Sequence, residues 1–315
     1  MSEMNRPLVS IITPCYNGER FVNRYFDCIL AQTYSPLELI FINDGSTDRT
    51  EEIALSYRER LQQKGIRYIY EYQGNAGQAA ALNRGLKLFT GEYLTWPDSD
   101  DVMTPDCIEK KVAFLESHPI YGICLCKTYV VNEKEPEKIT GVLERNPPVG
   151  EDNFFDDLIF IKNVYFTPGG YMVRSEALLE SIPDREICTC RGGQNLQILL
   201  PVLKYYKCGY MEETLNYYYE SAQSHSHSIT SAVQKAAQIQ LYEQIVLETL
   251  YRIEPALQQK YERKVLHYFA KWLFGIAIDA GDKVAMKKAY MQLKCNGKVT
   301  LKERLLYLKK CLCAM

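Results

Sequence analysis

The sequence predicts an α/β fold: a mostly parallel sheet with flanking helices, followed by a purely helical region. Three observations carry that expectation. Short apolar runs of strand length alternate with segments of helical spacing through the first ~130 residues. Each of the first four apolar runs ends in a cluster of Asn, Asp, Gly, Ser or Pro. Beyond Ser231 only three- and four-residue apolar spacing remains.

Leu8-Val9-Ser10-Ile11-Ile12 reads as a buried strand, and Phe21, Tyr25, Ile29 and Gln32 mark one face of the helix after it. Leu37 to Ile42 is a second strand. Asp48 with Glu51 three residues later has the form of a capping pair for the next helix. Arg67 to Glu71 is a third strand, and Gly74-Asn75-Ala76-Gly77 is a loop before a helix from Gln78 to Phe89. Tyr93 to Trp96 is the fourth strand. Thr104-Pro105 suits the start of a further helix, with Thr as cap and Pro in the first turn. Residues 121–170 look irregular because Pro136, Pro147 and Pro148 interrupt any long element. Gly169 to Val173 and Tyr217-Tyr218-Tyr219 are strand-like, and Gln194 to Tyr205 is helical. Ile239, Tyr242, Val246, Leu250 and Ile253 line one helical face, which sets a domain boundary near 228–232.

The chain has 315 residues, 47% hydrophobic and 24% charged, which suits one large domain with an appendage or two domains. Its net charge of -2 argues against a nucleic-acid binder. The charge is uneven, since residues 283–315 hold nine Lys or Arg against Glu303 alone, an excess of +8 that leaves -10 on residues 1–282. The polar start does not resemble a secretory signal, and no apolar run reaches the ~18 residues of a spanning helix. The eleven cysteines include Cys124/Cys126, Cys188/Cys190 and Cys311/Cys313, none with zinc-module spacing. Reduced, mostly buried thiols in a cytosolic chain are expected.

In an open α/β sheet, ligands bind beyond the carboxyl ends of the strands. Thr13-Pro14-Cys15-Tyr16-Asn17-Gly18, Asn43-Asp44-Gly45-Ser46, the 74–78 loop and Asp98-Ser99-Asp100-Asp101 all follow strands in this way. Alone, each is a common turn. Together they place four polar ends on one edge. In an extended chain residues two apart point the same way, so Asp98 and Asp100 can converge. Two hard oxygen ligands suit a divalent cation that itself holds a diphosphate.

These segments resemble family 2 of the glycosyltransferases, of the GT-A fold, over roughly residues 8–230. The resemblance rests on Val9 to Asn17, Glu38 to Asp48, Asn75-Ala76-Gly77-Gln78, Ala81 to Gly85, Gly91-Glu92-Tyr93 and the acidic motif, in order and spacing. It implies a GT-A domain over 1–230, with a nucleotide-sugar half at about 1–125 and an acceptor half at about 126–230, and a helical region at 231–315. The implied activity is inverting, metal-dependent hexosyl transfer from a nucleotide sugar, usually a UDP-sugar, to an acceptor hydroxyl. Matching positions imply that Thr13, Pro14, Tyr16 and Asn17 line the base and ribose pocket, and that Asp44 accepts from the uracil ring. Gly77 and Gln78 would lie near the nucleotide, Asp98 at the ribose or the metal's water shell, and Asp100 on Mn²⁺ or Mg²⁺.

Many relatives carry an acidic pair, including the catalytic base, at the start of a helix in the acceptor half. Here that stretch is Arg191-Gly192-Gly193-Gln194-Asn195, without a carboxylate, as in a bacterial subgroup. An amide cannot take the acceptor's proton. Asp101, or Asp184 or Glu186, are then the candidate bases, with Gln194 and Asn195 orienting the acceptor or capping the helix. The alternative function is a nucleotide-sugar-binding pseudoenzyme or scaffold subunit. A nucleotidyltransferase fits less well, because no Gly-rich basic loop follows the first strand.

In Ser224-His225-Ser226-His227-Ser228, His225 can add a metal or diphosphate ligand, as GT-A enzymes often do from this region; a solvated loop is the alternative. Arg174 and Arg191 could also meet phosphate. In the basic end, Leu301, Leu305 and Leu308 share a helical face among Lys and Arg, a pattern for lying on an anionic membrane or for a solvated helix. A glycan or lipid-linked glycan acceptor in bacterial surface-polysaccharide synthesis would suit peripheral placement at the inner face of the cell membrane.

Overall fold

The structure, a computed structural model, describes residues 6–145, 154–190, 192–220 and 230–312. The chain forms two compact units, residues 1–221 and 222–315.

In the first unit β1 (Val9–Cys15), β2 (Leu37–Asp44) and β3 (Arg67–Gln73) alternate with α1 (Val22–Ala31), α2 (Thr50–Ser56) and α3 (Arg58–Gln63). Then follow α4 (Gln78–Leu88), β4 (Tyr93–Thr95), β5 (Val102–Met103) and α5 (Cys107–Ser117). A long hairpin of β6 (Tyr121–Asn132) and β7 (Glu135–Leu143) comes next, then α6 (Phe154–Phe160), β8 (Tyr171–Arg174), α7 (Ser175–Ser181), α8 (Gln194–Tyr205) and β9 (Lys207–Glu220). The strands make one sheet in the order β3-β2-β1-β4-β8-β6-β9-β5, with β7 on β6.

The first four strands are parallel. Beyond β4 the sheet is mixed: β8 runs antiparallel to β4 and β6, while β6 and β9 are parallel. The parallel character read from the sequence thus belongs to the β3-to-β4 half. β1 and β2 are buried at every residue, as strands covered on both faces require. Helix α4 presses closely on β1, for a Cβ on Gly85 would lie 2.3 Å from Ile12 Cγ2.

Three local expectations change. Asp48 does cap α2, through Oδ1 accepting from Thr50 N at 3.0 Å. Its partner, however, is Glu19 rather than Glu51, with Glu19 N donating to Asp48 Oδ2 at 3.0 Å and Arg49 N to Glu19 Oε2 at 3.1 Å. A tertiary contact has replaced the local pair. Helix α5 begins at Cys107, because Thr104 N is already bonded to Leu215 O at 2.9 Å and extends the β5 edge. Residues 121–143 are a hairpin, and Pro136 is accommodated in β7 at the exposed end of that strand.

The second unit is helical: α9 (Ala232–Ile253), α10 (Pro255–Ala280), α11 (Lys283–Asn296) and α12 (Leu301–Leu312). Ser231 and Gln234 form a reciprocal capping box at its start. Its core joins Val246 and Leu250 of α9, Val265 and Phe269 of α10, and Met286 and Leu293 of α11.

At the amino edge of the sheet, Glu38 is fully buried. It accepts from Ser10 Oγ at 2.7 Å, Arg67 Nη1 at 2.6 Å and Thr90 N at 2.9 Å. Replacing Glu38 by Ala strands Ser10 and Thr90 and is expected to cost about 2 kcal/mol, read as a lower urea midpoint.

Candidate active site

Parallel register brings the four polar strand ends level. Cys15 pairs with Asn43, Asp44 with Gln73, and Ile11 with Thr95, so the loops after β1, β2, β3 and β4 share one edge. Hydrogen bonds then fuse neighbouring loops. Asn17, at φ 50°, accepts on Oδ1 from Thr47 N at 2.9 Å, and its own N–H donates to Ser46 Oγ at 3.0 Å. Gly18 N donates to Thr50 Oγ1 at 2.7 Å.

Asp44 is the fastening on the other side. Its buried carboxylate accepts from Gln73 Nε2 at 2.7 Å, Ala76 N at 2.9 Å and Gly77 N at 2.9 Å. Those donors leave one of about four acceptor positions for a ligand. Gly45 lets the β2 and β3 loops touch: its φ is 75°, and an added Cβ would lie 2.5 Å from Asn75 N.

Of the residues expected to line a base pocket, two reach the surface. Tyr16 is 51% exposed and free to stack on a ring, and Asn17 is exposed beside it. Thr13 does not line the cleft with its side chain, which is fully buried against the Tyr25 hydroxyl, and Pro14 is buried as well. Strand alternation turns Thr13 toward α1.

The acidic motif leaves β4 through the buried Trp96. Asp98 Oδ1 accepts from Gln78 Nε2 at 2.6 Å, and Gln78 Oε1 accepts from Gln194 Nε2 at 2.7 Å. This amide chain joins the polar loop edge to the first residue of α8. Asn195 is buried and accepts on Oδ1 from Trp96 Nε1 at 2.8 Å, so its amide ties α8 to β4. Gly193, in the left-handed region at φ 69°, turns the chain into α8.

Burial, then Asp100, pushes the Asp98 carboxyl up to about 7, against the Gln78 bond. Burial also raises Asp100, while Arg24 draws it down. Asp101 is raised well above the usual range by burial, then by Asp100 and Asp98. It is 3% exposed and accepts from the Tyr219 backbone, so it faces β9 rather than α8. The Cys15 thiol beside the motif is pushed up to about 12 by burial and is no nucleophile.

The sequence offers no local signal for Arg24. Its Nη2 donates to Asp100 O at 2.7 Å, across 76 residues of chain, and its guanidinium lies 3.6 Å from the Tyr219 ring centroid. Gln73 and Trp96 likewise carry no local signal, because their partners Asp44 and Asn195 are also distant in sequence.

Asp184 and Glu186 do not reach the site. Glu186 pairs with Lys87 at 3.0 Å and Arg185 bonds Leu86 O and Phe89 O, all at the far end of α4 from Gln78. Nine residues of helix separate those ends, about 14 Å. Arg174 is held away from any phosphate by Tyr121 O and the Tyr93 hydroxyl. His225, His227 and Arg191 lie outside the described residues.

Asp98 and Asp100 fit a divalent cation. They supply hard oxygens, and the Arg24 guanidinium acts on the neighbouring Asp100 and Asp101. No group of three or more His, Cys, Asp or Glu forms a cage among the described residues. Mg²⁺ and its like need none, being held by one or two carboxylates with substrate phosphates and water.

An open sheet with a cluster of polar loops at its carboxyl edge and a short acidic motif after β4 is the arrangement of the GT-A fold. The family described as glycosyl transferase family 2 matches residues 10–180, and the chain belongs to that family. An uncharacterized glycosyltransferase of Rickettsia typhi is 45% identical over 109 residues, covering 35% of this chain and 32% of that protein. Another, from Haemophilus influenzae, is 37% identical over 154 residues, covering 47% of this chain and 46% of its own. The aligned part thus spans a third to a half of these curated relatives. Among solved structures, S. aureus TarS 1–349 in complex with UDP-GlcNAc superposes with a TM-score of 0.56 at 18% identity, covering 96% of this chain and 91% of TarS 1–349. The mannosyltransferase PcManGT from Pyrobaculum calidifontis, in complex with GDP-Man and Mn²⁺, gives 0.54 at 18%, covering 98% and 85%. These likenesses share the fold.

Gly45→Ala is expected to push the 75–78 loop off Asp44, costing roughly 1–3 kcal/mol. Faster amide exchange at Ala76 and Gly77 would register it. Trp96→Phe removes the Asn195 bond at a cost of about 1 kcal/mol, read as faster exchange in the first turn of α8.

Proposed function

We propose that this chain transfers a sugar from a nucleotide sugar, most simply a UDP-sugar, to an acceptor hydroxyl with inversion and with Mn²⁺ or Mg²⁺ bound. The observation that carries the proposal is the single hydrogen-bonded edge running from Asn17 through Asp44 and Gln78 to Asp98. TarS with UDP-GlcNAc and the mannosyltransferase with GDP-Man and Mn²⁺ support the donor class and the ion.

In this proposal Tyr16 and the remaining acceptor position of Asp44 meet the base. Asp98 meets the ribose or the cation's water shell, and Asp100 ligates the cation. A bound cation stabilises the negative charge that develops on the departing diphosphate. Arg24 and Tyr219 hold the motif from below. Gln194, held by Gln78, orients the acceptor at the start of α8; it cannot deprotonate it. Asp101, buried against β9, serves to hold the motif rather than to move a proton. A glycan or lipid-linked glycan of a bacterial surface polysaccharide is the acceptor we infer.

One observation favours a second reading, nucleotide-sugar binding without turnover: α8 opens on two amides where relatives carry an acidic pair, and both are already engaged. UDP release from a panel of UDP-sugars with Mn²⁺, against glycan acceptors, separates the two. Tight donor binding with no release against any acceptor would favour the second. Asp100→Ala is expected to abolish metal-dependent donor binding, and EDTA to mimic it; Mn²⁺ dependence that survives the substitution removes Asp100 as a ligand. Asp101→Asn should retain more turnover than Asp98→Asn.

A further inference from the structure

The outer face of α12 combines two features that soluble surfaces seldom combine: a leucine stripe and a strong excess of one charge. Leu301 is 72% exposed, Leu305 57% and Leu308 52%. At about 100° per residue these three fall within roughly 60° of one another. The opposite side of the helix is the packed one. There Tyr307 stacks on Tyr290 of α11, with centroids 4.0 Å apart and planes 4° apart, and Glu303 pairs with Lys271 of α10 at 3.6 Å. Leu306 is half-buried on the same side.

The stripe is therefore not a core face that α12 happens to lack cover for; its core face is occupied. Lys302 and Lys309 flank the leucines on one side and Arg304 on the other. Together with Leu301, Leu305 and Leu306, the two lysines line a shallow groove of about 410 Å³. On α11, Val284 (82% exposed) and Met291 (51% exposed) repeat the pattern among Lys283, Lys287, Lys288 and Lys294.

We propose that this face docks on an anionic lipid surface, with the leucines entering the headgroup boundary and the basic residues meeting lipid phosphates. Charge selects this occupant. The stretch from 283 to 315 carries +8, so a second copy presenting the same face would be repelled. Nucleic acid would answer the charge but would leave the leucines wet. A helix with an apolar stripe flanked by Lys and Arg is built to lie in a bilayer interface. It does so as a peripheral contact, for no helix among the described residues is long and apolar enough to cross a membrane. The proposal stands on α11 and α12 alone and does not depend on the glycosyl-transfer reading.

The test is flotation of the full chain with vesicles of phosphatidylcholine, with and without phosphatidylglycerol. Binding is expected to the mixed vesicles alone, falling roughly fivefold for each of Lys302, Arg304 and Lys309 replaced by Ala, and weakening with salt. Leu305→Asp should abolish it without moving the thermal midpoint, since Leu305 packs outward. Should that variant unfold, Leu301→Ser with Leu308→Ser replaces it. Failure to float with mixed vesicles overturns the proposal, as does equal binding to neutral ones. A concentration-dependent dimer that Leu305→Asp dissociates, without vesicle binding, would assign the face to a second copy instead.

Discussion

The polar loop edge of this protein depends on one buried carboxylate. Parallel strands deliver their loops to a common edge, but they do not bond those loops to one another. Asp44 does, by gathering a strand side chain and two backbone N–H groups from the 75–78 loop. Hydrogen bonds to a carboxylate are roughly twice as strong as those between neutral groups. Gly45 makes the arrangement possible, since a side chain there would collide with the Asn75 backbone. Through Gln78 the same loop reaches both Asp98 and the first residue of α8, so the start of that helix is tied to Asp44.

The acidic motif is held under the opposite regime. Its carboxylates repel one another in a partly dry setting, and Arg24 offsets part of that repulsion at Asp100 and Asp101. Such a cluster suits the cation proposed for it. Arg24 holds the motif at Asp100 O and the Tyr219 backbone holds it at the Asp101 carboxylate. Asp101, the third acid, is drawn into the protein by the β9 backbone.

Charge divides the chain as sharply as fold does. The acidic excess lies in residues 1–282, which include the proposed donor site, and the basic excess in the last two helices. An anionic nucleotide sugar gains nothing from a negatively charged domain unless a cation intervenes. An anionic lipid surface, by contrast, would attract the chain by its basic end.

Much was legible in the sequence alone. The alternating apolar runs and their polar ends pointed to the α/β class and to the succession of the first four strands, because those signals are local and periodic, while the family came from the resemblance of the motifs. The helical character past Ser231 and the leucine stripe of α12 were equally plain. Tertiary structure alone decided which polar residues face the cleft. It buried Thr13 against Tyr25, carried Glu186 to the far end of α4, turned Asp101 to β9, locked Asn195 under Trp96 and brought Arg24 beneath Asp100. Each outcome rests on partners far apart in the chain: 76 residues for Arg24 and Asp100, 99 for Trp96 and Asn195, and 116 for Gln78 and Gln194. A sequence shows which side chains can bond; only packing brings distant ones within reach.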